Sequence, residues 1–323
     1  HQYSATSITV AFDSVWREGF DIRIEPITDS SYVAAALSTP DGSIQYFRPD
    51  GTAVLSTQTN DFRMAVTADG YQIATPLETM RFDPAGRLTS LNLLSGRVFV
   101  MRYSDGTTGS GGRSAVDGDG NSLGAAVPAN RLIEVLSSTG RSLRYERDTA
   151  GRISQIALSG TSEVTRYYYG SDDHLAKVVY PDGQARLYHY NEAAYTAGAA
   201  RPDALTGISE RDATGATVRY ATFGYSVSGS AASTEHSGGV YKFSINLTTP
   251  YQQTTVTDPL GAARVYNFNN VLGVIKFTGS SQPAGSGCTA STSAMTYDAN
   301  GNLASADDFN AHRTCMASDL TRN

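Results

Sequence analysis

Apolar and polar positions alternate with a period of two through the first part of the chain. Ser7-Ile8-Thr9-Val10-Ala11-Phe12 and Phe20-Asp21-Ile22-Arg23-Ile24-Glu25 are clean examples. Such alternation predicts half-buried β-strands, because successive side chains point to opposite faces. Ser43-Ile44-Gln45-Tyr46-Phe47 lies between Pro40-Asp41-Gly42 and Pro49-Asp50-Gly51. Pro-Asp-Gly presets one turn dihedral, bonds its own backbone and supplies a left-handed residue, so each copy predicts a turn. No stretch longer than a turn or two carries the 3.6-residue period of a helix.

Beyond residue 80 the pattern becomes a repeated phrase: an aromatic residue, Asp, two small residues, Gly, a polar residue and an aliphatic one. It reads Phe82-Asp83-Pro84-Ala85-Gly86-Arg87-Leu88 and Tyr297-Asp298-Ala299-Asn300-Gly301-Asn302-Leu303. In Arg147-Asp148-Thr149-Ala150-Gly151-Arg152-Ile153 an arginine leads instead. Weaker copies run from Tyr169 to Leu175 and from Arg211 to Thr217. The leading residue ends a strand, Asp accepts backbone N–H bonds in the turn, and Gly takes the positive-φ position. The aliphatic residue restarts the next strand facing inward. Asp173 stands in the Gly place of one copy, a substitution that Asp tolerates better than most residues. Gly183 to Tyr190 and Gly261 to Phe268 place Tyr188 with Tyr190, and Tyr266 with Phe268, on shared strand faces, as a ring ladder requires. Internal repetition of this kind predicts a succession of antiparallel hairpins, each needing its neighbours to bury an apolar face.

Residues 104–128 break the rhythm with Ser, Thr, Gly and Asp and predict a long mobile loop; residues 278–293 predict a second, and 191–203 a third irregular stretch. The organisation expected is an N-terminal β-meander over residues 1–80 leading into one repeat region over 81–323.

Composition fits strands and tight turns. Charged residues make up 17% of the 323, against about 25% in ordinary domains, while Gly and Tyr number 31 and 19. The net charge of −6 disfavours a nucleic-acid surface. No apolar run approaches the about 18–20 residues of a membrane-spanning helix. The chain opens on His1 and closes on Asn323 with no start or stop signal, as a piece of a longer polypeptide would. Cys288 and Cys315 lie too far apart for a CxxC zinc site, leaving a disulfide or two thiols open.

Candidate chemistry is sparse. Asp117-Gly118-Asp119-Gly120-Asn121 opens like a calcium loop, but Ser122 and Pro128 stand where that loop needs Gly and Glu. The five histidines do not pair at ligand spacing; His236 beside Glu235 is the nearest to an acid–base pair. Neighbouring carboxylates such as Asp172-Asp173 and Asp307-Asp308 point to opposite faces if they lie on a strand. The reading is a non-catalytic chain with no metal or cofactor.

Tyr297 to Leu303, Gly140-Arg141-Ser142-Leu143-Arg144-Tyr145 and Tyr180-Pro181-Asp182-Gly183 together resemble the RHS/YD-repeat family, over most of residues 40–323. The resemblance implies an all-β ribbon of antiparallel hairpins curving into part of a hollow shell around a polypeptide, often a toxin. The family's self-cleaving core and toxin segment have no match in these residues, so the resemblance implies wall without either activity. It makes Asp83, Gly86, Asp148, Gly151, Tyr188, Tyr190, Tyr266, Tyr297, Asp298 and Gly301 structural repeat residues. The implied setting is secreted or cell-surface. Implied partners are the remainder of a longer parent polypeptide or other copies, joined through unpaired sheet edges, and an enclosed polypeptide. A carbohydrate-binding or adhesive β module is the alternative, since exposed Tyr rings stack on sugars.

Overall fold

The structure, a computed structural model, describes residues 2–3, 16–17, 19–28, 30–53, 62–249 and 252–318. The run at 7–12 and the end of the chain from 319 lie outside them. The chain is all-β. Consecutive strands pair antiparallel as hairpins, and the only helical turns among the described residues are two 3-10 segments, Ala193–Tyr195 and Ser237–Gly239. Contacts divide the chain into two compact units, residues 1–187 with 211–216, and 188–210 with 217–323. This division records where contacts thin, whereas the boundary at residue 80 marks where the repeat phrase begins.

In the first unit Arg23–Pro26, Ala35–Ser38 and Ile44–Phe47 form a small sheet. It meets the first phrase at Gly86, whose carbonyl accepts the Ile24 N–H at 3.0 Å. Gly86 has φ +77°, and a Cβ there would fall 1.8 Å from the Ile24 carbonyl oxygen, so both conformation and space demand glycine. The main ladder then runs hairpin by hairpin from Arg63–Thr67 to Ala185–Tyr190. Its inward positions line up in rows across the strands. Met64, Ile73, Met80, Leu91 and Phe99 are successive register partners in five of them. Met101, Val135, Leu143 and Leu158 form a second row. This is the period-two pattern turned into a core.

Residues 104–128 are not the structureless loop their composition predicts. Ser114–Val116 pairs with Ser122–Ala126 as a hairpin of its own, and Ala115 and Val127 are fully buried. Gly118 lies against strand Val164–Tyr169, so close that a Cβ would sit 2.7 Å from the Tyr168 ring. Gln155 donates to the Gly118 carbonyl at 3.0 Å and the Tyr168 hydroxyl to Asp119 at 2.7 Å. The segment is pinned by polar bonds and small apolar residues rather than by large ones, which is why hydropathy reads it as loop. Residues 278–293 likewise open as the end of strand Val274–Gln282 and close in Ser291–Thr292, which pairs back onto Ser281 and Gln282.

The second unit continues the hairpins through Thr217–Tyr225, Ala231–His236, Val240–Thr249, Gln253–Thr257, Ala263–Val271 and Val274–Gln282. A three-stranded sheet follows, Ala294–Tyr297, Leu303–Asp307 and Arg313–Cys315. Cys288 and Cys315 are exposed thiols, not a disulfide.

Candidate functional site

Each repeat phrase closes as one turn. The Asp83 N–H donates to the Arg87 carbonyl at 3.0 Å, the Gly86 N–H to the Asp83 carbonyl at 2.9 Å, and the Asp83 carboxylate accepts the Arg87 N–H at 3.0 Å. Asp148 repeats the set with Gly151 and Arg152, and Asp298 with Gly301 and Asn302. Gly86, Gly151 and Gly301 all have positive φ, as does Asp173 in the substituted copy, at 65°. At Asp298 the N–H groups of Asn302 and Asn300 hold the carboxyl below its ordinary pKa.

The residue leading several of the phrases does more than end a strand, and Tyr103 and Tyr225 behave alike. A β-bulge lies immediately before Phe82, Tyr103, Arg147, Tyr169, Tyr225 and Tyr297. A bulge bends its strand and re-aims the next side chain. Here it turns the polar tip back to an earlier strand, at its first residue for Tyr103, Tyr169 and Tyr225 and at its fourth for Tyr297. The Tyr103 hydroxyl donates to the Leu88 carbonyl at 2.8 Å, Tyr169 to Ile153 at 2.6 Å, Tyr225 to Leu205 at 2.8 Å and Tyr297 to Phe277 at 2.6 Å. Arg147, only 2% exposed, makes the same clasp through its Nε to the Leu132 carbonyl at 2.8 Å, and its Nη1 donates to the Gly151 carbonyl at 2.8 Å. Phe82 has no polar tip and is simply buried.

A cation beside the clasped carbonyl covers three of these rings. Arg87 lies over Tyr103 at 5.2 Å, Arg152 over Tyr169 at 4.3 Å and Lys276 over Tyr297 at 4.9 Å. In each case it is the residue preceding the clasped one, so turn, ring and cation of neighbouring phrases interlock.

One copy escapes sequence reading because an insertion splits it. Tyr103-Ser104 opens the turn and Asn130-Arg131-Leu132 closes it, with residues 105–129 between. Asn130 holds the Gly place at φ 66°. Ser104 donates its N–H to the Arg131 carbonyl at 2.8 Å and its hydroxyl accepts the Arg131 N–H at 3.1 Å, standing in for Asp. Tyr190-Asn191 and Ala204-Leu205 are split in the same way around 192–203, the Asn191 N–H donating to the Ala204 carbonyl at 3.0 Å. The signal was Asn-Arg-Leu following a tyrosine at a distance.

The remaining tyrosines of the phrase take packing places. Tyr188 is buried and Tyr190 half-buried. Tyr266 and Phe268 flank Phe277, with ring centroids 6.4 and 5.9 Å away.

A polar cluster of the second unit sits around Arg219. It grips Glu192 through both terminal nitrogens, at 3.2 and 2.6 Å, and donates to the Thr206 carbonyl at 3.0 Å. The Thr206 hydroxyl donates to the same carboxylate at 2.7 Å, and His189 Nε2 meets the Ser209 hydroxyl at 2.8 Å. Burial and then the Arg219 charge push the His189 pKa down, while the hydrogen bonds from Arg219 and Thr206 hold Glu192 below its ordinary value against its burial. Ser209 is buried and Glu192 is committed to Arg219, so the cluster binds the 192–203 insertion to its hairpin. Glu192 gave no signal in the sequence.

His236 is not paired with Glu235; its ring lies between those of Tyr220 and Tyr241, at 5.3 and 6.2 Å, and Glu235 pairs with Lys242 at 3.3 Å. Asp117 spends its oxygens on the N–H groups of Asp119 and Asn121 and on the Asn121 amide. No metal-holding group of acidic, His or Cys side chains occurs among the described residues, and no helix among them is long and apolar enough to cross a membrane.

Among solved structures the chain is similar to the TcdB2–TccC3 complex, at 10% identity over 88% of this chain and 16% of that one, with a TM-score of 0.43. It is similar to TcdB2–TccC3–TEV at 12% identity, over 86% and 16%, with a TM-score of 0.40. It is also similar to the Photorhabdus luminescens Tc holotoxin pore at 13% identity, over 93% and 15%, with a TM-score of 0.32. The chain thus spans about a sixth of the length of the chains it matches. No protein-family model and no curated protein matches the sequence.

Proposed function

We propose that this chain is a non-catalytic structural segment of an RHS/YD-repeat shell, secreted or displayed at a cell surface, whose hairpins form wall around a polypeptide. The carrying observation is the repeated clasp: a bulge, a hydroxyl-to-carbonyl bond and a tight turn closed by a positive-φ residue recur from Tyr103 to Tyr297. The remainder of the parent polypeptide, or further copies, would pair with strands at the sheet ends.

The test is limited proteolysis of the protein purified from its native source, with intact mass before and after. The proposal expects a chain longer than these 323 residues and a co-purifying polypeptide that resists protease until the β-structure is unfolded. A protein that carries no protected polypeptide overturns the enclosing role.

A further inference from the structure

One surface of the second unit, beside the turn that closes a hairpin at 258–262, gathers apolar side chains left in water. A cleft of about 520 Å³ opens over strands Val240–Thr249, Gln253–Thr257 and Ala263–Val271. Tyr241 and Phe243 line it from one strand and Arg264 and Tyr266 from another, and the 258–262 turn contributes Asp258 and Leu260. These apolar groups are not core. Tyr241 is 66% exposed, Phe243 36% and Leu260 94%.

Tyr241 is also held unusually. Its φ is +51°, a conformation that an aromatic residue adopts only when its surroundings impose it. The edge-on contact with His236, which meets Tyr220 edge-on in turn, holds the ring at the mouth of the cleft. A large apolar side chain kept in a strained backbone and left in water marks a surface arranged for contact.

The polar groups decide what it contacts. The Asp258 Oδ1 is oriented by the N–H groups of Leu260 and Ala262, both at 2.9 Å. Neither Asp258 nor Arg264 forms an ion pair among the described residues. An acyl chain or apolar peptide laid in the cleft would desolvate both charges without compensating them. A sugar ring satisfies both halves: its C–H face stacks on aromatic faces, while its hydroxyls donate to a carboxylate and accept from a guanidinium. The volume lies within the range of small-ligand sites.

We infer that this cleft binds a neutral pyranose of an oligosaccharide, with Tyr241 and Phe243 as stacking platform and Asp258 and Arg264 as hydroxyl partners. The inference stands on the cleft alone and is independent of the enclosing role. The test presents the whole chain to a panel of neutral gluco-, galacto-, manno- and chito-oligosaccharides, read by saturation-transfer NMR and titration. Saturable binding of at least one, weakened tenfold or more in both Tyr241→Ala and Arg264→Ala with circular dichroism unchanged, is the expected result. Both side chains are exposed and outside the clasps, so the variants fold. Absence of binding across the panel, binding that both variants retain, or binding only of an apolar dye or an anionic saccharide overturns it.

Discussion

A tyrosine hydroxyl on a backbone carbonyl is worth about 1 kcal/mol net, and the cation over its ring about 0.5–1 kcal/mol more. One fully buried aliphatic residue contributes roughly 1.5–3 kcal/mol. The rows of Met, Ile, Leu and Val therefore stabilise the sheet, and the clasps choose its register. Removing a clasp should be felt but survivable. Tyr169→Phe should lower unfolding free energy by about 1–2 kcal/mol in urea titration, because the Ile153 carbonyl loses its donor. Arg147 offers a sharper check. Arg147→Tyr keeps a polar tip for the Leu132 carbonyl, whereas Arg147→Ala leaves two buried carbonyls without their donor. Arg147→Tyr should be the less destabilised of the two; the reverse order would mean that the guanidinium serves a purpose other than closure. At the turns, Asp212, Asp298 and Asp308 all have carboxyls held below the ordinary 3.8 by local N–H and side-chain donors. The unfolded chain then binds protons more readily, so their stabilisation is present above about pH 3.8 and lost as pH falls through the lowered values. Urea midpoints should fall below pH 4, and Asp298→Asn should lessen that fall.

At the scale of the element, the inserted segments are what sequence reading and structure treat differently. Gly118→Ala would push a methyl into the Tyr168 ring and the Tyr167 carbonyl. Amide exchange should quicken across Ser114–Val116 and Ser122–Ala126 while the Ile153–Leu158 hairpin keeps its protection; uniform protection would show that the insertion is held elsewhere. His189 gives the second insertion a pH dependence. Its folded pKa lies below 6.5, so the unfolded state takes up the proton first and stability declines as pH drops below about 6.5. His189→Gln keeps a partner for Ser209 and should flatten that decline between pH 7.5 and 5. The hairpins were legible because alternation and Asp-x-x-Gly turns are local, one-dimensional signals. The split copies were not, since Ser104 and Asn130 lie far apart in sequence and their pairing exists only once the insertion has folded. The clasp was half legible. Tyr297 and Asp298 stand out as a pair, but the bulge that aims the ring is a property of two strands, and Arg147 in the same role breaks the aromatic rule.

For the whole molecule, strands at the sheet ends carry the consequence. Arg313–Cys315 pairs on one side only among the described residues, with Leu303–Asp307. Its guard is a charged one: Arg313 grips Asp307 through two bonds of 2.7 Å. Charge on an edge discourages chance pairing while leaving the backbone groups available to a cognate strand. The most direct measurement is a cryo-electron microscopy map of the protein from its native source. The account predicts that these residues lie in a curved β wall made with further repeats, with their inner face against density for an enclosed chain. A map in which these residues form a free-standing β body, with no enclosed density, would contradict it.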